Sequence, residues 1–299
     1  MKNLGASVRA RLTNHARTTS QPLSVLMERF VLGRLLWRLS RCEGANQFVL
    51  KGAQLFSLWA PEIHRPTRDL DLLSFGDSSP QKMELFFRAL LSRPAEPEDG
   101  LVWGGVAVER IREDQRYEGV RITVRATLDG AVIPAQVDVG FGDVITPEPV
   151  EMTWQELLGF PEARLLAYPP ETVIAEKLQA AHELEMANSR MKDFFDLDWL
   201  SRHMEFDLKT LSLAVRATFS RRETPMPIKM PLALTEAFSS DSGKVTQWNA
   251  FLRKNKIDAH ELSVVIKRLH AFLSPVLFSE SDSEQMVWKA SAGWSKPAE

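Results

Sequence analysis

The sequence contains very little cysteine. Cys42 is the single cysteine among 299 residues, which excludes an internal disulfide and any cysteine-rich zinc site. This composition is typical of proteins that work in a reducing compartment, so we expect a cytoplasmic protein. The six histidines show no HExxH-like or other metal-ligand spacing, so nothing in the sequence supports a histidine-based metal site.

Long apolar runs are also missing. No run approaches the ~20 residues that a membrane-spanning helix needs, and the N-terminus lacks the continuous apolar core of a signal peptide. We therefore expect no membrane partner and interpret the N-terminus as part of the mature protein. The net charge of −2, the 44% hydrophobic content and the 25% charged content are ordinary for a soluble globular protein. The length allows one large domain or two of ordinary size.

The most informative stretch is residues 47–73, which predicts a strand, a turn, a short helix, a Pro-bounded loop and a second strand with an Asp-x-Asp pattern. Asp69 and Asp71 alternate with Leu70 and Leu72, so the two carboxylates share one face of the strand and repel each other. A hard cation such as Mg²⁺, which binds one or two carboxylates together with substrate phosphates, resolves that repulsion.

The turn of this stretch is Lys51-Gly52. A glycine directly after a strand lets the backbone approach a phosphate closely, with N–H groups directed at it. A phosphate turn followed by an acid pair favours nucleotide chemistry.

The N-terminal segment is basic. Residues 1–41 hold seven arginines and Lys2 against one acid, Glu28, and residues 23–39 have helical spacing. The cations could bind a polyanion, or they could form the solvated face of an amphipathic helix. The arginines on the flanks of this helix would be Arg29, Arg34, Arg38 and Arg41.

The middle of the chain predicts a helix and then three strands. Asp129-Gly130 is a strong tight-hairpin signal between the last two strands. In the final strand Asp138 faces away from Val137 and Val139, which makes it a third strand carboxylate. Pro134 weakens a central position and favours an edge or a strand start. The predicted elements are a helix at 80–91 and strands at 102–111, 119–128 and 132–139.

From about residue 150 the pattern predicts helices, beginning with MTWQELLGF. Pro170 and Glu171 suit a helix start. Lys177 lies inside the apolar stripe of that helix, where a lysine either extends to solvent or serves a buried anion. In the next helix, Asp196 and Asp198 are interpreted as capping or solvating residues. Asp143, which follows Gly142 in a predicted turn, is interpreted as structural.

These patterns predict an α+β fold with a mixed sheet and an all-helical C-terminal half. The expected parts are a basic helical segment at 1–46, a sheet core at 47–148, a helical domain at 149–278 that completes the active site, and a flexible tail at 279–299.

Five motifs stand in an order that resembles the AbiEii/AbiGii-type nucleotidyltransferase toxins, a branch of the DNA polymerase β-like nucleotidyltransferase fold. The resemblance covers roughly residues 23–275. The motifs are KGA at 51–53, RPTRDLDLL at 65–73, VDVGFGD at 137–143, PPETVIAEKLQA at 169–180 and RMKDFFDLDWL at 190–200.

The resemblance implies roles for individual residues. Asp69, Asp71 and Asp138 would be the metal-binding carboxylates for Mg²⁺ or Mn²⁺, with Asp138 acting on the attacking hydroxyl. Asp193 would be the acid of the last motif. The residues expected to contact the nucleotide are Lys51, Gly52, Ala53, Arg68, Lys177 and Arg190. The chain departs from the family pattern at one place. It has Ala53-Gln54 where relatives carry a hydroxyl residue after the glycine.

The resemblance further implies transfer of NMP from an NTP to an RNA acceptor, the tRNA 3′ end in some members, which would block translation. A cognate AbiEi-like antitoxin encoded nearby is the expected partner. The basic N-terminal segment favours a polynucleotide acceptor. Two alternatives stay open: an antibiotic-type small-molecule nucleotidyltransferase, and a catalytically idle protein that binds nucleotide or RNA.

Overall fold

The computed structural model describes residues 3–60, 64–114, 117–279 and 285–297. Lys2 of the basic segment and residues 61–63 of the predicted Pro-bounded loop lie outside the described residues. The chain forms two compact units. The first comprises the residues up to Asp143 together with Val150–Ala167, and the second comprises Val144–Pro149 and the residues from Tyr168 onward.

Among the described residues, the first unit is built on a seven-stranded sheet. Strands β1 and β2 are antiparallel, β1 is parallel to β7, and β2 is parallel to β5, while the other neighbours are antiparallel. The sheet is therefore mixed, and the predicted α+β class is confirmed. The elements in chain order are α1 (Leu4–Thr19), α2 (Leu23–Ser40), β1 (Phe48–Lys51), α3 (Phe56–Trp59), β2 (Asp69–Ser74), α4 (Pro80–Ser92), β3 (Val102–Asp114), β4 (Tyr117–Leu128), β5 (Ala131–Phe141), β6 (Val150–Trp154) and β7 (Ala163–Ala167). The strand order is β3-β4-β5-β2-β1-β7-β6.

Helix α2 is buried on every side over residues 30–39, so it is a core helix and not an amphipathic surface helix. Arg34 and Arg38 are part of this buried run, where both pair with Asp99 at 3.1 and 2.7 Å. The Arg34 guanidinium also lies 4.4 Å from the Trp37 ring centre. The sequence-based interpretations of these two arginines, polyanion contact or solvated face, are therefore both wrong.

The hairpin between β4 and β5 has the predicted tight turn. Asp129 and Gly130 both adopt left-handed backbone, with φ of 48° and 76°, and Leu128 pairs with Ala131. Two left-handed residues match the twist of the flanking strands. Pro134 lies within β5, which is an inner strand of the sheet and not an edge strand. The fold tolerates this proline because β2 pairs with β5 only from Gln136 onward.

Residues 150–167 differ from the helical prediction. They form β6 and β7 at one edge of the seven-stranded sheet, joined by a short 3₁₀ turn at Leu157–Gly159. Leu158 and Gly159 have φ of 61° and 73°, which ends any helix there. The segment becomes a strand because β7 pairs with β1. The local sequence pattern does not reveal a partner so distant in the chain.

The second unit is mainly helical, with a small three-stranded sheet in its described part. Its elements are α5 (Pro170–Leu184), α6 (Met191–His203), β8 (Phe206–Asp207), α7 (Leu208–Arg221), α8 (Glu236–Ser239), α9 (Ser242–Asn255), α10 (Leu262–Phe278), β9 (Val287–Lys289) and β10 (Gly293–Ser295). The sheet order is β10-β9-β8.

Strands β9 and β10 lie in the stretch predicted as a flexible tail. Trp288 is buried, its Nε1 donates to the carbonyl of Ser201 at 2.7 Å, and its ring lies 4.7 Å from that of Phe272. Trp294 Nε1 donates to the Phe272 carbonyl at 2.8 Å. Residues 287–295 are therefore ordered by two tryptophans, so the flexible-tail prediction is wrong for them; residues 280–284 and 298–299 lie outside the described residues. Across the described ranges, no helix combines the length and apolar character that a bilayer crossing requires.

Candidate active site

Four charged residues form one row across the sheet of the first unit. Register places Arg121 opposite Asp138, Asp138 beside Asp71, and Asp71 opposite Lys51. Residues directly paired across strands place their side chains on the same face. The row therefore reads cation, carboxylate, carboxylate, cation, with the two acids adjacent at its centre. We call these four residues the carboxylate row.

Asp138 is held by Arg121 through two hydrogen bonds. Arg121 Nε donates to Oδ1 and Nη2 donates to Oδ2, both at 2.8 Å, and Gln136 Nε2 donates to Oδ2 at 3.3 Å. The Asp138 bond raises the pKa of Arg121 above its ordinary value, while burial of the guanidinium acts in the opposite direction. Asp138 is only 8% exposed, so the carboxylate of this two-point pair is shielded from water, while the Arg121 side chain is partly exposed.

The sequence analysis missed Arg121, although a signal for it was present. The Asp129-Gly130 turn fixes the hairpin register, and counting back from the turn places Arg121 opposite Asp138. The alternation of Val120 and Ile122, both buried, assigns Arg121 to the face that carries the acids.

Lys51, at the other end of the row, is also held by a carboxylate. Its Nζ lies 3.1 Å from Asp143 Oδ2, and both side chains are nearly buried. Gly142 precedes Asp143 with φ of 82°, which confirms a left-handed bend there and explains how the chain returns toward Lys51. Nucleotide binding by Lys51 stays a prediction.

Gly52 lies directly against Asp71. Its φ is +73°, and a Cβ at this position would stand 2.0 Å from Asp71 Oδ2 and 2.7 Å from Cγ. Glycine is therefore required twice, by the backbone conformation and by the space that the carboxylate occupies. The predicted phosphate turn and the predicted acid pair are in contact.

The departure at Ala53-Gln54 has a structural consequence. Gln54 is buried, and its Nε2 donates to the backbone carbonyl of Asp69 at 3.4 Å. Gln54 lies near the position where relatives are expected to carry a hydroxyl residue. Its side-chain amide instead holds the backbone of Asp69, the first residue of β2. Whether Ala53 contacts a nucleotide stays a prediction.

The outer end of β2 is open to solvent. Asp69 is exposed and Asp71 is partly exposed. Arg68 is exposed as well, and its Nε lies 3.3 Å from Glu28 Oε2 on α2. An exposed pair of this kind is weak, because water and salt screen it, so it does not fix Arg68 in place.

Asp69 and Asp71 fit a Mg²⁺ ion, because Mg²⁺ is commonly held by one or two carboxylates plus substrate phosphates and keeps several waters. Asp138 does not fit as a third ligand in this arrangement, since both of its oxygens accept hydrogen bonds from Arg121. In the part of the chain that the structure describes, no group of three or more His, Cys, Asp or Glu side chains is arranged to hold a metal ion. The fit therefore extends to two of the three predicted metal ligands.

A second charged cluster lies inside the second unit. Lys177 Nζ, on α5, is 2.5 Å from Asp193 Oδ1 and 2.9 Å from Asp196 Oδ2, both on α6. Lys177 therefore serves buried anions and does not extend to solvent. We call these three residues the Lys177 cluster.

The aspartates of α6 differ from their predicted role as capping or solvating residues. Asp196 is fully buried within the Lys177 cluster. Asp198 is 1% exposed and bonds Arg202 Nε at 2.8 Å and Arg268 Nη1. Buried carboxylates need such partners, and helix periodicity alone did not reveal them.

Arg190 stands immediately before α6. Its backbone N–H donates to Asn188 Oδ1 at 2.8 Å, and the buried Lys244 donates from Nζ to the Asn188 carbonyl at 3.0 Å. This local network fixes where α6 begins, and hence where Asp193 and Asp196 point. Phosphate contact by Arg190 stays a prediction.

Two crystal structures of Helicobacter pylori proteins align with this chain. The crystal structure of JHP933 aligns with a TM-score of 0.50 and 14% identity, over 84% of this chain and 91% of that one. A candidate nucleotidyltransferase from H. pylori aligns with a TM-score of 0.45 and 18% identity, over 84% of this chain and 97% of that one. No curated protein matches the sequence significantly.

The model of the family described as "Nucleotidyl transferase AbiEii toxin, Type IV TA system" matches residues 34–273. This match covers well over half of the chain, and it agrees with a site in which a glycine turn lies against a strand acid pair. The chain therefore belongs to the AbiEii nucleotidyltransferase toxin family of type IV toxin–antitoxin systems.

Proposed function

We propose that this nucleotidyltransferase is a Mg²⁺-dependent toxin that transfers NMP from an NTP to RNA, at the 3′ end of tRNA, and so blocks translation. The observation that carries the proposal is the contact between Gly52 and Asp71 at the centre of the carboxylate row. Because Gly52 has no side chain, the Asp71 carboxylate can lie directly against the turn, so an ion held by Asp71 would be next to a phosphate bound by the N–H groups of the turn.

Asp69 and Asp71 would hold the ion, for which Mn²⁺ could substitute. When bound, the ion neutralises phosphate charge and makes the α-phosphorus more electrophilic. In the reaction the acceptor oxygen forms a bond to the α-phosphorus, the bond to the bridging oxygen breaks and pyrophosphate leaves. The proton of the acceptor hydroxyl would pass to a carboxylate, the role predicted for Asp138.

Further residues have proposed roles toward the nucleotide. Gly52 and Ala53 would receive the triphosphate through the backbone, with Lys51 fixed beneath them by Asp143. Arg68 is exposed and could exchange Glu28 for a phosphate. In the second unit, Lys177 would contact the phosphates, and Arg190 would be a further phosphate contact.

Asp193 would be a positioning residue for Lys177, because its carboxylate already holds the ammonium group at 2.5 Å. The predicted action of Asp138 on the attacking hydroxyl would require the pair with Arg121 to open.

RNA is favoured over an antibiotic by family membership, since a toxin must modify a component that its own cell needs. Exposed cations of the first unit, such as Arg17 and Arg41, could contact phosphate groups of RNA. Membership of a type IV system also implies an antitoxin partner, and we propose an AbiEi-like protein encoded nearby.

The test is incubation of the purified full chain with Mg²⁺, each α-labelled NTP and total tRNA. Asp69→Ala is the active-site variant, and Asp77→Ala, which removes an exposed aspartate of the same unit, is the matched control. Label on tRNA with the wild type and Asp77→Ala, but not with Asp69→Ala, is the expected result. Label only on aminoglycosides would replace RNA with a small acceptor, and bound nucleotide without any transfer would refute the enzymatic proposal.

A further inference from the structure

Arg121 is paired with Asp138, the carboxylate that a two-metal site would need as a ligand. Two-metal nucleotidyl transfer uses carboxylates to hold two ions about 3.5–4 Å apart. Here Asp138 faces a guanidinium whose two nitrogens span both of its oxygens at 2.8 Å. The planar fork of arginine matches a carboxylate in this way and cannot be deprotonated in proteins.

Burial of the carboxylate strengthens this pair. Asp138 is 8% exposed, and the Arg121 side chain is 35% exposed. To bind Asp138, a metal ion would have to displace a charge-assisted pair whose carboxylate is shielded from water, and it would leave the guanidinium without its carboxylate. The register of the β4–β5 hairpin prevents Arg121 from shifting along the strand.

The charge of Arg121 also reaches beyond Asp138. Asp69 and Glu109 both contribute favourably to the charged form of Arg121. Arg121 therefore interacts electrostatically with Asp69 of the acid pair as well as contacting the third carboxylate. A fixed positive charge at this point does part of what a second ion would do, which is to offset the repulsion among Asp69, Asp71 and Asp138.

We propose that Arg121 replaces one of the two metal ions, so that this enzyme binds a single divalent cation through Asp69 and Asp71, with Asp138 serving as the anchor of Arg121. Arg121 is then a positioning residue that sets the number and affinity of bound ions. The inference rests on the proposed metal-dependent transfer, but it concerns how many ions the chain binds.

The test measures binding of Mn²⁺ alone to the full chain by electron paramagnetic resonance, without nucleotide and without any activity readout. The wild type is expected to bind one Mn²⁺. Asp71→Asn should weaken binding at least tenfold, whereas Asp138→Asn should change it by less than about twofold, because Asp138 already belongs to Arg121.

Arg121 variants supply the converse result. Arg121→Gln releases Asp138, so this variant should bind a second Mn²⁺ or bind the first about tenfold more tightly. The double variant Arg121→Gln/Asp138→Asn should lose that gain, and it avoids a buried unpaired charge if the single variant folds poorly. Arg121→Lys, which keeps the charge without the fork, should fall between wild type and Arg121→Gln. Arg125→Gln is the matched control, because Arg125 lies on the same face of β4 but is exposed and opposite Pro134.

Three outcomes would overturn the inference: two Mn²⁺ ions on the wild type, no Mn²⁺ binding by the wild type, or Asp138→Asn weakening Mn²⁺ binding as strongly as Asp71→Asn. Failure of the proposed function looks different, since it would be one bound Mn²⁺ with the expected variant pattern and no label transferred to RNA.

Discussion

The two charged clusters use the same residue types in opposite ways. In the carboxylate row of the first unit, two adjacent acids are flanked by cations, and the neighbouring Asp69 is exposed. In the Lys177 cluster of the second unit, one lysine lies between two acids that are 11% and 0% exposed. At one end of β2 the exposed Asp69 and the partly exposed Asp71 stay within reach of a ligand, while the Lys177 cluster pairs its charges with one another. An aspartate in a motif is therefore chemically available only where the fold leaves it open to solvent.

The largest expected effect comes from a substitution of Asp71 in the carboxylate row. Asp71→Asn should lower transfer by about 10³-fold or more, roughly 4 kcal/mol of barrier, because the variant would lose one of the two carboxylates proposed to hold the ion. The free energy of unfolding should change by less than about 1 kcal/mol, since the repulsion with Asp138 is relieved at the same time. Label transfer and urea unfolding are the measurements, with Asp77→Asn as control. A loss of stability as large as the loss of activity would refute the contrast.

Gly52→Ala tests the contact between the turn and the row. The new Cβ would meet the Asp71 carboxylate, and the left-handed φ would cost about 1–2 kcal/mol. We expect transfer to fall by about 10²-fold, because a misplaced catalytic group has effects of this size. Gly105→Ala is the control, as a Cβ there has nothing within 4 Å. Unchanged activity in the Gly52 variant would show that Asp71 is not held by this close approach.

Lys177→Met tests the cluster in the second unit. Removing the cation from between Asp193 and Asp196 should cost about 3–5 kcal/mol of unfolding free energy, as expected when a buried ion pair loses one partner. Lys192→Met, an exposed lysine on α6, should cost less than about 0.5 kcal/mol. Chemical unfolding of both variants is the measurement. If Lys177→Met were as stable as wild type, the ion pairs of Lys177 with Asp193 and Asp196 would not stabilise the fold, and the contrast between the two clusters would fail.

The smallest expected effect concerns Glu156, a largely buried acid that forms no ion pair within the described residues. Burial raises the pKa of Glu156 from 4.5 to about 8, and its Oε2 has no hydrogen-bond partner. The folded state therefore holds a proton that the unfolded state releases above pH 4.5, so stability falls as the pH rises toward 8.

Glu156→Gln should remove that loss. At pH 8.5 the variant should be more stable than wild type by about 1–3 kcal/mol, and at pH 5 the two should be similar. Urea unfolding at both pH values is the measurement, with the exposed Glu162→Gln as control. An equal difference at both pH values would show that the effect does not come from the proton.

Much of the first unit could be predicted from the sequence. The strand around Asp69 and Asp71 follows from alternation, and the Asp129-Gly130 hairpin follows from the backbone freedom of its two residues. The strands at 150–167 could not be predicted, because β7 pairs with β1, which lies more than a hundred residues away, and β6 in turn pairs with β7. The order of residues 287–295 depends in the same way on tryptophan contacts with Phe272 and Ser201.

By itself the sequence determined the order of the motifs and the family that they indicate. Alternation put Asp69 and Asp71 on one face, the glycine turn preceded them, and the ordered motifs indicated the family. Only the tertiary structure decided what each charge faces. Asp138 faces Arg121, Lys51 faces Asp143, and Lys177 faces Asp193 and Asp196. The physical reason is that backbone conformation and periodicity depend on a few neighbouring residues, whereas ion pairing depends on the register and burial that distant segments impose.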